Sequence, residues 1–125
     1  MHKILIVDDE IKACDFLRKI LESKGFSVTV SYSGESALEK VKTEMHDVVL
    51  LDIKMPGMDG METLRRIRQF DNKVVIIMLT AVHDEGIAKD ALTKGADDYM
   101  TKPINVEYLV SLMIPVYTEM RSNVN

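Results

Sequence analysis

Short apolar runs separated by helix-length amphipathic segments constrain this chain more than any other feature. Residues 4–7, 48–51 and 74–79 consist of Val, Ile and Leu with one Met. They are too short for buried helices, and they read as strands covered on both faces, as in a parallel sheet. Residues 27–32 make a weaker strand with Val28 and Val30 on one face, and residues 97–100 a short fifth one. Between them apolar residues recur three and four apart. Ala13, Phe16, Leu17, Ile20 and Leu21 form one stripe, stopped at Gly25. Ser33-Gly34-Glu35 opens a second helix with Ala37, Leu38 and Val41. Met61, Leu64 and Ile67 mark a third, with Arg65, Arg66 and Arg68 on its solvated side. Ile87, Ala91 and Leu92 mark a weaker fourth ending at Gly95, and Val106, Leu109, Val110 and Met113 a fifth. Strand and helix thus alternate five times. That order implies an α/β fold with a parallel sheet, right-handed crossovers and helices on both faces.

With 125 residues the chain reads as one domain, residues 1–120, with a short polar tail at 121–125. The formal net charge of −4 argues against a nucleic-acid-binding face. One cysteine, Cys14, excludes an internal disulfide. No run approaches the roughly 18 apolar residues of a membrane span. The amino terminus lacks the features of a signal peptide, so the cytoplasm is the expected location.

Ligands of parallel sheets bind at the carboxyl ends of the strands. Here the first strand ends in Asp8-Asp9-Glu10, the third in Asp52, the fourth in Thr80-Ala81, and the fifth leads into Thr101-Lys102-Pro103. The fold therefore gathers carboxylates, a hydroxyl and an ammonium at one edge. Asp8, Asp9 and Asp52 together carry three negative charges that repel. A divalent cation and Lys102 bring the sum to zero. A hard ion with few carboxylate ligands is the Mg²⁺ pattern, and such an ion also takes phosphate oxygens. A phosphoryl group on Asp52 would then be stabilised by the cation, by Lys102 and by Thr80.

At these residues the chain resembles a response-regulator receiver domain, the phosphorylatable module of two-component signalling. The resemblance runs from Ile4 to about Val116. It is carried by residues 4–10, 50–60, 79–81 and 95–99 and by Lys102-Pro103. It implies a three-layer (βα)5 flavodoxin-like fold with sheet order 2-1-3-4-5. It implies that Asp52 is the phospho-acceptor, with Lys102 and Thr80 contacting the phosphoryl oxygens. Asp8, Asp9, Asp52 and the backbone carbonyl of Lys54 would hold Mg²⁺, for which Mn²⁺ can substitute. Thr80 and Tyr99 would form the conformational switch, and the Lys102–Pro103 peptide would be cis. Lys54 and Val82 occupy the two positions that tune phosphoryl lifetime in this family. Val82 cannot orient water by hydrogen bonding and Lys54 adds a cation, so slow autodephosphorylation is expected. The protein is then a signalling switch rather than a dedicated enzyme.

The implied partners are a histidine kinase or histidine phosphotransfer protein and a downstream protein or output domain. The chain is expected to be a single-domain regulator or an excised receiver, and a monomer or weak dimer. Pro115 interrupts the fifth helix pattern, so that helix should kink or end near Ile114.

Taken singly, these residues have plainer readings. Asp9 could cap the first helix, Asp52 could be a turn residue, and Thr80 and Lys102 could be an ordinary strand end and turn. Met55, Met58 and Met61 read as gap-filling hydrophobes. His2, His46 and His83 read as surface residues, with His83 in a loop near the site, and Cys14 as an inert core thiol. Other functions are weaker. An interaction module without phosphorylation would usually have lost one of the acidic residues, Thr80 or Lys102. An aspartate-nucleophile phosphatase tends to carry an acid where Lys54 stands. A nucleotide-binding flavodoxin-like protein needs a glycine-rich loop where Asp8-Asp9-Glu10 stand.

Overall fold

The computed structural model describes residues 2–113. In chain order the elements are β1 (Lys3–Val7), α1 (Ile11–Ser23), β2 (Ser27–Ser31), α2 (Gly34–Thr43), β3 (Val48–Asp52), α3 (Gly60–Phe70), β4 (Val75–Thr80), α4 (Glu85–Thr93) and β5 (Asp98–Thr101). A single 3-10 turn, Val82–Asp84, leads into α4. Residues 106–113 are helical and form α5 as far as the described chain extends. The sheet is parallel, in the order β2-β1-β3-β4-β5. This is the flavodoxin-like arrangement, with its switch point between β1 and β3. Pro115, the boundary at residue 120 and the tail lie outside the described residues. Among the described residues no helix is long and apolar enough to cross a membrane.

Strand alternation sorts the core into two layers. Ile4, Ile6, Leu50, Ile77 and Leu79 face α1 residues Cys14, Leu17 and Leu21 and α5 residues Leu109 and Met113. Leu5, Val7, Val49, Leu51, Ile76 and Met78 face Ala37, Leu64, Ile67, Ala88 and Ala91 of α2, α3 and α4. Strands buried on both sides need apolar residues at every position, which is why the three pure runs stand out in the sequence.

Two helix faces differ from the expected stripes. In α1 the buried line is Cys14, Leu17 and Leu21, while Ala13 and Phe16 are exposed and flank an apolar groove toward Pro103 and Ile104. In α4 Ala88 and Ala91 are buried, whereas Ile87 and Leu92 are only partly covered. Small alanines let α4 sit close on the sheet, and the larger residues take its flanks.

Arg68 is not solvated like Arg65 and Arg66. Its guanidinium donates to the carbonyls of Gly95, Asp71 and Val74 and to Asp97, which in turn accepts from the Ile76 N–H. His46 is buried as well, with Nε2 3.0 Å from the Thr29 hydroxyl, and burial lowers its pKa. Cys14 is a buried free thiol 3.3 Å from the Asp8 carbonyl, pushed up to about 12 by burial and by neighbouring acids, so it is inert.

Candidate functional site

Four strand ends meet at one edge, and main-chain hydrogen bonds fix their spacing. The Asp8 N–H donates to Ser31 O, the Ile53 N–H to Leu79 O, and the Lys102 N–H to Thr80 O. Asp8 follows β1 and Asp52 ends β3, and both are buried. The Lys102 ammonium donates to Asp8 Oδ2 at 3.0 Å and lies 3.2 Å from Asp52 Oδ1. The other Asp8 oxygen accepts from the Glu10 N–H at 3.0 Å. Glu10 is the N-cap residue of α1, so Asp9 is not a cap and its exposed carboxylate is free to face the acidic cluster.

The electrostatics follow from this packing. Burial and the adjacent Asp8 charge push the Asp52 carboxyl up to about 6, although Lys102 pulls the other way. Burial opposes the Lys102 charge, but its hydrogen bond to Asp8 and the charge of Asp52 outweigh that and raise its pKa. One ammonium therefore compensates two buried carboxylates incompletely.

Oxygen atoms of Asp8, Asp9 and Asp52 all lie within 4.8 Å of one another. Three hard oxygen donors around an uncompensated negative charge fit Mg²⁺. Asp9, Asp52, Lys54, Thr80 and Lys102 line a common cavity of about 320 Å³ with His83 and Asp84. Thr80 is buried, and its hydroxyl donates to Ala81 O at 3.2 Å. Tyr99 stands apart from this cavity. It is half-buried in β5 and packs against the core layer that contains Ala88 and Ala91 of α4. Val82 is exposed and opens the 3-10 turn at the rim. The Lys102–Pro103 peptide is cis.

Two residues of the site were given no role of their own from the sequence, although Gly60 ends the 50–60 motif. Asp84 is buried and lies 3.3 Å from the Lys54 ammonium. It closes a single 3-10 turn, too short for any periodicity to mark a buried position. Gly60 begins α3, and its N–H donates to Ile53 O at 2.7 Å. A Cβ there would fall 2.6 Å from Ile53 Cα and against the Asp52 carbonyl, so only glycine lets the helix start so close to the end of β3. Its place directly after the N-cap Asp59 was the available signal.

The family model of the response regulator receiver domain matches residues 4–114. The transcriptional regulatory protein ZraR of Klebsiella oxytoca is 41% identical over 85% of this chain and 24% of its own length. The alkaline phosphatase synthesis transcriptional regulatory protein PhoP of Bacillus subtilis is 43% identical over 82% of this chain and 43% of its own length. The chain thus spans between a quarter and a half of these relatives. A receiver domain protein from Clostridium thermocellum superposes with a TM-score of 0.91 at 29% identity, covering 97% of this chain and 98% of that one. The Vibrio cholerae chemotaxis protein CheY4 gives 0.82 at 30% identity, covering 93% and 98%. The family match over residues 4–114, with these relatives and structures, shows that the chain belongs to the response regulator receiver domains of two-component systems.

Proposed function

We propose that Asp52 accepts a phosphoryl group from a histidine kinase or histidine phosphotransfer protein, and that this changes partner binding through Thr80 and Tyr99. One observation carries the reading. The Lys102 ammonium is shared between buried Asp8 and Asp52 at the mouth of a cavity that Thr80 also lines. In the transfer an Asp52 oxygen bonds to phosphorus, and the phosphorus–nitrogen bond of the donor imidazole breaks with its electrons returning to the ring. Asp8, Asp9, Asp52 and the Lys54 carbonyl would hold Mg²⁺, or Mn²⁺ in its place, which when bound neutralises carboxylate and phosphoryl oxygens. Lys102 orients the acceptor and follows the charge onto the phosphoryl oxygens. The Thr80 hydroxyl, now on Ala81 O, exchanges that bond for a phosphoryl oxygen. Tyr99 reports the change at the α4 surface as a population shift. The switch acts in the cytoplasm on a downstream protein or an attached output domain, binds no nucleic acid through this domain, and is a monomer or weak dimer. The apolar Val82 favours slow autodephosphorylation, and Lys54 adds to this only when its ammonium reaches the phosphoryl oxygens.

Intact mass after incubation with acetyl phosphate and Mg²⁺ tests the chemistry. One added phosphoryl group is expected on the wild type, and none on Asp52→Asn or without Mg²⁺. An Asp52→Asn protein labelled as fully as the wild type would overturn the assignment.

A further inference from the structure

Lys54 and Asp84 face each other across the rim of the Asp52 cavity. Lys54 lies two residues beyond the acceptor in the loop that leaves β3, and Asp84 closes the turn that leaves β4. Their charged atoms are 3.3 Å apart. The Lys54 side chain is 66% exposed and that of Asp84 only 9%. Asp84 is therefore the fixed partner, anchored further by its N–H, which donates to Ala81 O at 2.9 Å. Its second oxygen lies 3.5 Å from His83 Nε2. A buried carboxylate requires a cation nearby. Lys102 is engaged by Asp8 and Asp52, which leaves Lys54 and, when protonated, His83 for Asp84.

We propose that Asp84 is a positioning residue that holds the Lys54 ammonium away from the phosphoryl group on Asp52, and thereby limits how long that group survives. The inference rests on the reading of Asp52 as phospho-acceptor. Phosphorylation replaces the single charge of Asp52 with nearly two on phosphoryl oxygens. These oxygens and Asp84 then compete for the same flexible lysine. While Asp84 keeps it, the outer face of the phosphoryl group stays open to water. Decay forms a bond from water oxygen to phosphorus and breaks the bond to Asp52. The electron pair returns to the Asp52 carboxylate, and the water proton leaves with phosphate or to solvent. With Lys54 on the phosphoryl oxygens, that face is covered and the charge is held.

First-order decay of the acetyl-phosphate-labelled protein tests this in the wild type, Asp84→Asn, Asp84→Glu and the double variant Asp84→Asn/Lys54→Met, with Lys54→Met as its reference. Asp84→Asn is expected to lengthen the lifetime about threefold, the scale of a part-exposed ion pair. Asp84→Glu should restore the wild-type lifetime. In the Lys54→Met background Asp84→Asn should have no effect. An unchanged or shorter lifetime in Asp84→Asn overturns the proposal, as does an equal effect with and without Lys54. A wild type that takes up no phosphoryl group would instead overturn the assigned function. Normal labelling without coupling between the two residues overturns only this inference.

Discussion

The Lys102 ammonium lies 3.2 Å from the Asp52 carboxylate while donating to Asp8 at 3.0 Å, so one cation ties the end of β5 to the ends of β1 and β3. Removing it leaves two buried carboxylates without a cation. Lys102→Ala should destabilise the metal-free chain near neutral pH by about 1–3 kcal/mol, less than a fully buried pair because the lysine is partly exposed. Urea denaturation would measure the loss. Adding Mg²⁺ should recover part of it, and a variant as stable as the wild type without metal would contradict the charge balance.

Asp52 makes stability depend on pH in an unusual direction. Its folded value of about 6 lies above the ordinary 3.8. Between those values the folded chain binds more protons than the unfolded one, so the Asp52 contribution to stability falls as pH rises, and it is constant above about 6. Asp52→Asn should therefore stabilise the metal-free chain above that pH, by up to about 3 kcal/mol, and do little near pH 4. Denaturation midpoints compared at both pH values would test this. Equal effects at both would show that ionisation of Asp52 is not the cause.

Gly60 sets how closely α3 approaches the acceptor. Gly60→Ala drives a methyl against the main chain of Asp52 and Ile53, and should cost about 1–3 kcal/mol. Because the displaced atoms carry the acceptor, phosphorylation by acetyl phosphate should slow as well. Stability lost with an unchanged labelling rate would mean that the strain relaxes into α3 instead.

Arg68 is expected to matter far more than its helix neighbours. Arg68→Ala strands the carbonyl of buried Val74, leaves the exposed Gly95 carbonyl to water and removes the cation beside Asp97, at about 1–3 kcal/mol. Arg66→Ala, which loses only an exposed contact with Glu62, should leave the unfolding midpoint unchanged. Comparable losses in both variants would refute the structural role given to Arg68.

How much of this was legible depends on whether a residue belongs to a periodic element. The runs at Ile4, Val48 and Val74 declare buried strands, and a polar residue just beyond each run, Asp8, Asp52 or Thr80, is thereby assigned to the sheet edge. Helix faces were read less well. Phe16 looks like core by spacing but lies one position off the Cys14–Leu17–Leu21 line and is 67% exposed. Arg68 and His46 follow the usual polarity rule in sequence, and only tertiary carbonyls and Thr29 draw them inward. Asp84 was hidden for a different reason. Its burial and its pairing with Lys54 are set by the loop after β3 and the short 3-10 turn after β4, which meet only once the sheet is assembled.

Locating the phosphoryl group tests the central claim most directly. Borohydride reduction of the acetyl-phosphate-treated protein, followed by peptide mass mapping, converts an aspartyl phosphate to homoserine at its own position. The account predicts homoserine at position 52 alone, dependent on Mg²⁺. Homoserine at Asp8, Asp9 or Asp84, with Asp52 unmodified, would contradict it.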